Sequence, residues 1–222
     1  GGGNNSSFTT HVVTSSGTGT YSAIAAALGS LKGPKHGGAN RQVLAQFSLI
    51  KQTVRDWKDD DAVADCVGRI LRRELGDGSG LIYGMGHAVY TLSDPRTVIL
   101  RQSARTLAAQ RGMLDELELM EAVERVTPRV FAEITGHEKV MCANVDMYSG
   151  LIYQMLDIPP DLFTPLFAVA RITGWCAHRM EEVLTGGRLY RPAYKSLTRH
   201  REYIPMAART YRKNPLPAEK RD

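Results

Sequence analysis

Cysteines and aromatic residues are scarce in this sequence. The three cysteines, Cys66, Cys142 and Cys176, are widely spaced and form no CxxC motif. An odd number of scattered cysteines argues against a disulfide framework or a zinc site and favours a reducing compartment, so we expect a cytoplasmic protein. Only 7% of the residues are aromatic. β-Branched runs are also few, whereas alanine and leucine are plentiful, and this composition favours helices over sheets.

Long apolar stretches and a strong net charge are missing as well. No apolar run approaches the ~20 residues of a membrane span, so no membrane segment is predicted, and no secretory signal is visible. The 222 residues, 43% of them hydrophobic, carry 28 Lys and Arg against 23 Asp and Glu, which leaves a net charge of +5. So small a surplus does not indicate nucleic-acid binding, and it is compatible with polyanionic small molecules.

The sequence contains several apolar stripes with helical spacing and no segment with the strict alternation of a half-buried strand. The stripes begin near Val43, Val63, Val98, Leu114 and Leu166. Asp94 followed by Pro95 is typical of a helix start, with an Asp cap and proline in the first turn. A break is predicted at Thr127-Pro128, among other places. The pattern predicts an all-α protein with short loops.

His36 lies in a short glycine-rich segment that runs from Gly33 to Asn40. Pro34 stiffens the entry to this turn, and the glycines on both sides let the backbone bend sharply and approach a ligand closely. An imidazole held on so bare a turn can donate a hydrogen bond to a bound molecule. His36 is therefore a candidate for acid–base chemistry.

A second histidine, His87, follows a Gly-x-Gly sequence formed by Gly84 and Gly86. Such a loop leaves backbone N–H and C=O groups open to a flat or anionic ligand. Arg96 lies one turn inside the next helix, where its guanidinium can reach back and hold a carboxylate with two hydrogen bonds. A glycine turn beside a solvated arginine is the alternative interpretation of these residues.

Asp146 and Arg171 are further candidates. Asp146 stands near the start of an apolar helix, as a helix cap or as a general base whose pKa is raised by apolar neighbours. Arg171 falls on or beside the apolar stripe that begins near Leu166, and a buried arginine needs a partner, either an internal carboxylate or a bound one. His178 is interpreted as a structural histidine. Two histidines and a carboxylate on separate loops or helix ends suggest acid–base chemistry on carbon.

Taken together, these segments resemble the citrate synthase family. The matching strings are residues 33–40, 84–90 with 94–96, 144–150, 162–175 and 191–192, in family order and at family-like separations, over residues 1 to about 195. The resemblance implies an all-α fold with a small helical domain over residues 39–150. Residues 1–38 and 151–222 would then belong to a large helical domain that is only partly present.

The resemblance also implies a mechanism. In that family the histidine matching His36 hydrogen-bonds the thioester carbonyl of acetyl-CoA, and the aspartate matching Asp146 removes a methyl proton. The histidine matching His87 polarises the keto oxygen of oxaloacetate, which the new carbon nucleophile attacks, and citryl-CoA is then hydrolysed. A thioester methyl group is a poor acid, so base and electrophile must act together, away from water and under a closing domain. No cofactor and no metal ion are implied.

Substrate contacts follow from the same resemblance. Arg96 and Arg171 match arginines that bind the carboxylates of oxaloacetate, and Arg191 matches one that reaches in from the other subunit of a homodimer. The residues expected to bind the acyl-CoA are Leu81, Ile82, Gly84, Met85, Gly86 and Asn144.

Four positions depart from the family's usual pattern. Met85 stands where an aromatic residue is usual, and Arg41 where Glu or Gln is usual. Thr91 stands where members often carry a Lys or Arg that touches CoA phosphates, so phosphate affinity is expected to be weaker or supplied elsewhere. Lys35 replaces a common Leu beside His36, and its amine could perturb that histidine.

The beginning of the chain is the largest departure. It has no initiator Met and opens with Gly1, Gly2 and Gly3, as after a tag scar or in the middle of a larger protein. In the family this segment would directly follow another substrate-binding histidine, with roughly half of the enzyme before it. We therefore expect the carboxy-terminal portion of a longer protein, its amino-terminal part cut away or carried by a separate chain, and a fragment that is inactive alone.

Other functions remain open. A 2-methylcitrate synthase would use propionyl-CoA, and one added methylene changes binding by only ~1–3 kcal/mol, so the sequence does not separate the two enzymes. A catalytically silent paralogue would bind acyl-CoA or carboxylates without turnover, although His36, His87 and Asp146 are all in place. A helical nucleic-acid-binding protein is less well supported, because the charge is modest and no basic helix face stands out.

Overall fold

The computed structural model describes residues 3–87, 89–90, 92–137, 140–195, 197 and 202–209, so Thr91 lies outside the described residues. The α-helices in this part are α1 (Asn5–Ser15), α2 (Thr20–Lys32), α3 (Ala39–Thr53), α4 (Asp60–Leu71), α5 (Pro95–Arg111), α6 (Leu114–Thr135), α7 (Asp146–Met155) and α8 (Phe163–Thr185). Short 3₁₀ turns lie at Pro160–Leu162 and Met206–Ala208. The predicted all-α fold is confirmed. No helix within the described ranges is long and apolar enough to cross a membrane.

The chain divides into two compact units, Gly1–Leu189 and Tyr190–Asp222. The first unit contains α1 to α8. In the second, the Arg209 guanidinium lies 5.5 Å from the centre of the Tyr203 ring, and its Nε donates to the Ile204 carbonyl. Arg191 belongs to this second unit.

Helices α3 to α7 form one group around a continuous apolar core, in which α4 packs on α6 and both α3 and α5 pack on α7. Asp59 caps α4 by accepting from the backbone N–H groups of Asp61 and Ala62. Asp94 caps α5 by accepting from the backbone N–H of Arg96, with Pro95 in the first turn, which confirms the predicted helix start. The largest fully buried side chains of this α3–α7 group are Tyr148, Ile50, Ile70, Leu117, Leu119, Met147, Leu151 and Met155.

Helices α1, α2 and α8 form a second group with a much smaller apolar core of Ala27, Leu31 and Trp175. The buried face of α1 consists of Ser6, Ser7, Thr10 and Thr14. The Thr10 hydroxyl donates to the Ser6 carbonyl at 3.0 Å, so the buried hydroxyl is satisfied within its own helix. Small side chains on this face allow α1 to lie close to its neighbours in the α1–α2–α8 group.

The predicted break at Thr127-Pro128 is wrong, because α6 continues through it to Thr135. Proline removes one helical N–H donor and costs about 3 kcal/mol in a helix interior. Val126, Thr127 and Val130 are all buried on this helix, and their packing offsets that cost. The Thr127 hydroxyl also donates to the carbonyl of Val123 at 2.6 Å.

The division into domains at residues 38 and 150 stays a prediction. Gly150 lies inside α7, and the helix carries Leu151 and Met155 into the same core as the rest of the α3–α7 group. Residues on both sides of position 38 belong to the first compact unit.

Candidate functional site

His36 lies on the tight turn between α2 and α3. The turn is closed by the N–H of Gly37, which donates to the Leu31 carbonyl at 2.8 Å, and by that of His36, which donates to the Gly33 carbonyl. A Cβ atom at position 37 would lie 2.5 Å from the Leu31 carbonyl oxygen, so only glycine fits there. From α8, the Thr164 hydroxyl donates to the Gly37 carbonyl at 2.9 Å. The turn is thereby fixed to both α2 and α8.

Ser6 at the start of α1 holds the His36 ring. Its hydroxyl lies 3.0 Å from His36 Nε2 and 2.9 Å from Asn4 Oδ1, and it accepts from the indole N–H of Trp175 at 3.3 Å. One hydroxyl hydrogen cannot serve both Asn4 and His36. When it is turned to His36, Nε2 accepts and the neutral ring carries its proton on Nδ1, where it can be donated to a ligand.

The pKa of His36 is lowered, first because the ring is partly desolvated and second because the Arg171 guanidinium is near. Both effects disfavour the imidazolium form. The neighbouring charge is thus Arg171 rather than Lys35, whose amine was the sequence-based candidate. His36 is held neutral, as a hydrogen-bond donor and not as a cation.

Asp146 is the first residue of α7 and is partly buried. Its backbone N–H donates to Asn144 Oδ1 at 2.9 Å. The side chain that accepts at the start of the helix is therefore that of Asn144, and the Asp146 carboxylate does not serve as a helix cap. Burial raises the pKa of Asp146 to about 6, against the opposing charge of Arg96. A carboxylate with that pKa is ionised at neutral pH and is a much stronger base than a solvated aspartate.

His87 is oriented by its own loop. Its Nδ1 accepts from the backbone N–H groups of Val89 and Tyr90, at 2.9 and 3.0 Å. A neutral ring whose Nδ1 accepts must carry its proton on Nε2. The Nη2 atom of Arg96 lies 3.3 Å from that Nε2. Two donors therefore face each other, and an anionic oxygen placed between them would accept from both.

Asp94, whose side chain is fully buried, holds the Arg96 guanidinium by an ion pair. Arg96 Nε donates to Asp94 Oδ1 at 3.0 Å and Nη2 donates to Oδ2 at 2.7 Å. This bidentate pair lowers the pKa of Asp94 and raises that of Arg96. The guanidinium is fixed in direction as well as in charge.

Arg171 on α8 is partly exposed and not fully buried as its position on the stripe suggested. Its guanidinium lies 5.3 Å from the centre of the Phe167 ring, and the same ring meets His36 edge-on at 6.2 Å. Among the residues that the structure describes, no carboxylate lies within 4.0 Å of Arg171. Within the described ranges no internal ion pair holds this arginine, and a bound carboxylate is available as its partner.

These side chains share one cavity of about 720 Å³. It is lined by both histidines, the aspartate and the two arginines, which come from the α2–α3 turn, the loop before α5, and helices α5, α7 and α8. The described residues that line it are Gly3, Asn4, His36, Gly86, His87, Val89, Tyr90, Arg96, Asn144, Val145, Asp146, Phe167 and Arg171. Residues far apart in the sequence are thus brought to one place, as expected for a reaction centre.

The loop expected to bind the acyl-CoA runs beside this cavity, and Gly86 and Asn144 line it. Asn144 holds the loop by donating its side-chain N–H to the Gly86 carbonyl and its backbone N–H to the Gly84 carbonyl. Gly84 has a φ of +86°, and a Cβ there would lie 2.9 Å from Met147 Cα. Ile82 is buried in the α3–α7 core, so only its backbone could face a ligand, whereas Leu81 is exposed.

Several contacts of the site could not be inferred from the sequence. Ser6 is 30 residues from His36, and nothing in its position predicts a contact with that ring. Phe167 lies in the segment 162–175 that carries the resemblance, but its edge-on contact with His36 was not predicted. The buried side-chain amide of Gln46 on α3 donates to the Leu81 carbonyl and accepts from the Tyr83 N–H, which fixes the adjoining loop. A lone glutamine on the apolar face of α3 is the only hint the sequence offers.

The sequence profile of the family described as "Citrate synthase, C-terminal domain" matches residues 1–193. The chain belongs to the citrate synthase family. Its relatives include a citrate synthase from Synechocystis sp., 40% identical over 209 residues, which are 93% of this chain and 48% of the relative. A 2-methylcitrate synthase from Corynebacterium glutamicum is 37% identical over 209 residues, or 93% of this chain and 49% of the relative.

Solved structures of the citrate synthase family have the same fold. One is a citrate synthase from Thermoplasma acidophilum in a ternary complex with carboxymethyl coenzyme A and oxaloacetate, with a TM-score of 0.72 and 32% identity. The similarity covers 92% of this chain and 50% of that one. The chain spans about half the length of the curated relatives it matches. Arg191 lies in the second unit, and its assignment stays a prediction.

Proposed function

We propose that this chain supplies the carboxy-terminal half of a citrate synthase, which condenses acetyl-CoA with oxaloacetate and hydrolyses the product to citrate and CoA. The observation that carries the proposal is the shared cavity lined by His36, His87, Asp146, Arg96 and Arg171. Membership of the citrate synthase family agrees with it.

The first step is the removal of a methyl proton from acetyl-CoA. Asp146 is ionised above about pH 6 and acts as the base. Neutral His36 donates its Nδ1–H to the thioester carbonyl, which takes up negative charge as the proton leaves. Ser6 supports this role when its hydroxyl is turned toward Nε2. Base and donor together give an enol or enolate, which neither would produce alone.

The second step joins the new carbon nucleophile to the keto carbon of oxaloacetate. His87 Nε2–H polarises the keto oxygen and transfers a proton to it as the carbon–carbon bond forms. Arg96 and Arg171 bind the two carboxylates, since one is aimed by Asp94 and the other has no internal carboxylate partner among the described residues. Water then cleaves the thioester of citryl-CoA, releasing citrate and CoA, and no cofactor or metal ion takes part.

The complete enzyme in this proposal includes the preceding half that the relatives have. That half closes the cavity beside Gly3 and Asn4 and adds another oxaloacetate-binding histidine. The enzyme works in the cytoplasm as a homodimer, with Arg191 reaching the partner's site. Its acyl-CoA lies along Leu81, Ile82, Gly84, Met85, Gly86 and Asn144 in a small domain over residues 39–150.

The test is release of free thiol from acyl-CoA by the full-length protein. With acetyl-CoA and oxaloacetate we expect turnover that disappears when oxaloacetate is left out, and none from the 222-residue chain alone. Absence of thiol release with every 2-oxo acid and acyl-CoA tried, while oxaloacetate still binds in a calorimeter, would establish the silent paralogue instead.

A 2-methylcitrate synthase is the second candidate, because relatives of that name match this chain almost as well as citrate synthases do. The same assay with propionyl-CoA separates the two. We expect kcat/KM to be higher for acetyl-CoA by about 10-fold, the size of effect that one methylene produces. A reversed ratio assigns the chain to the propionyl-CoA enzyme.

A further inference from the structure

A cluster of metal-ligand type lies between α1 and α8, outside the cavity described above. It consists of His11 on α1 with His178 and Glu181 on α8, and one ligand atom from each lies within 4.8 Å of the others. Glu181 Oε2 lies 3.5 Å from His178 Nδ1 and 4.0 Å from His11 Nε2. The two imidazole rings are 4.9 Å apart, centre to centre.

A fourth residue fixes the orientation of His11. Glu182 is nearly buried, and its Oε2 lies 2.9 Å from His11 Nδ1. A carboxylate can only accept, so Nδ1 carries the proton and the lone pair of the neutral ring is on Nε2, which faces Glu181. A carboxylate that orients a histidine in this way is the usual support of a metal-binding imidazole.

We propose that His11, His178 and Glu181 bind a divalent transition-metal ion of the Zn²⁺ class. Two imidazole nitrogens and one carboxylate oxygen suit this ion, with water completing the tetrahedron. Bonds of about 2.0–2.2 Å place neighbouring ligand atoms roughly 3.3 Å apart, so the widest separation in the cluster must shorten by about 1.5 Å. Glu181 is 65% exposed and His178 25%, which leaves both side chains room to move and gives the ion access from solvent.

The ion would join α1 to α8, two helices that contribute Ser6 and Arg171 to the site. Its role is structural, because it lies apart from the cavity and none of its ligands lines it. This site uses no cysteine, so it is compatible with the scarcity of thiols in the sequence. It also revises the interpretation of His178 as a purely structural histidine.

The test is Zn²⁺ binding to the 222-residue chain, measured by competition with a chromogenic chelator. His11→Gln and His178→Gln are each expected to lower the affinity at least 10-fold, and Glu182→Gln by 10–100-fold through loss of the orienting carboxylate. Zn²⁺ should also raise the thermal unfolding midpoint of the wild type, and not that of His178→Gln. Circular dichroism of each variant verifies that it is folded.

Two control variants separate this site from adventitious binding. His137→Gln removes an exposed histidine elsewhere, and Cys176→Ala removes the least buried of the cysteines. Neither should change the affinity, and bound Co²⁺ should give a ligand-field spectrum without thiolate charge transfer. Equal affinities for wild type, His11→Gln and His178→Gln, or loss of binding in Cys176→Ala, would overturn the proposal.

Discussion

The two helix groups hold the side chains of the candidate site by different means. The α3–α7 group surrounds Asp146 with a large apolar core, and burial sets the pKa of that carboxylate. The α1–α2–α8 group has only Ala27, Leu31 and Trp175 as its apolar core. It positions His36 through a hydrogen bond with the Ser6 hydroxyl and a turn too tight for a side chain at position 37.

The difference shows that, within one cavity, apolar packing controls the pKa of one side chain and hydrogen bonding controls the orientation of another. A base needs a raised pKa, which apolar surroundings provide by penalising its charged form. A neutral donor needs a defined tautomer and direction, which a fixed hydroxyl partner provides. We therefore expect substitutions around Asp146 to change the pKa of its carboxylate, and substitutions around His36 to change the orientation of its ring.

Asp146→Ala is expected to have the largest effect. Loss of the general base should lower turnover of the complete enzyme by ~10²–10⁴-fold, while oxaloacetate binding stays nearly unchanged. In the wild type, kcat/KM should rise with pH and level off above about 6, where Asp146 is ionised. Steady-state rates across pH and calorimetric titration of oxaloacetate measure both. A near-full rate in the variant would mean that Asp146 does not abstract the proton.

Asp146→Asn should stabilise the 222-residue chain, and in the complete enzyme it should remove the general base. The pKa of Asp146 is about 6 in the folded state against 3.8 for the free side chain, so the folded state binds this proton more tightly. Stability from this group is therefore greatest below pH 3.8 and is lost as the pH rises to about 6. The charged form costs up to roughly 3 kcal/mol at neutral pH.

Urea unfolding of the wild type and Asp146→Asn at pH 5 and pH 8 measures this difference. The advantage of the variant should be larger at pH 8. An equal stability of the two proteins at pH 8 would contradict a buried, destabilising charge.

Gly37→Ala should destabilise the chain by about 2 kcal/mol, because the added methyl group meets a backbone carbonyl that cannot move aside. Gly29→Ala in the interior of α2 is the matched control, since nothing lies within 4 Å of its Cβ. There the loss of glycine's flexibility should add about 0.5–1 kcal/mol of stability. In denaturant unfolding, the free energy of unfolding should fall for Gly37→Ala and rise for Gly29→Ala. A Gly37→Ala variant as stable as the wild type would contradict the tight turn.

Ser6→Ala should have the smallest effect of the four. It removes a hydrogen bond from Trp175 and the contact with His36, which should cost about 1 kcal/mol of stability and lower turnover several-fold. Ser7→Ala, at the equally buried neighbouring position, is the control in the same unfolding and rate measurements. If Ser7→Ala lowers turnover as much as Ser6→Ala, the hydroxyl of Ser6 has no special role.

Helices α3, α4, α6 and α7 could be predicted from the sequence because they bury apolar faces, whereas on α5 the predicted stripe fails at Val98, which is 48% exposed. Asp94 and Pro95 likewise marked the start of α5. The buried face of α1 could not be predicted, because it consists of serine and threonine and therefore shows no periodic pattern of apolar residues. Pro128 misled the prediction because local propensity was overridden by the packing of α6.

The residues of the site that could be predicted are those with distinctive neighbours in the sequence. His36, His87 and Asp146 stand beside glycines or at a helix start, and the cavity includes all of them. Ser6 acts through a contact with His36 that only the folded chain creates, whereas Asp94 was predicted as a helix cap and only its ion pair with Arg96 was missed. The sequence therefore identified candidate residues for the chemistry, but not the contacts that hold those residues in place.

Asp94 performs two tasks with one carboxylate: it begins α5 and it aims Arg96. A serine or asparagine at position 94 could still begin the helix but could not form the bidentate ion pair, so this substitution would free the guanidinium to turn without unwinding the first turn of the helix.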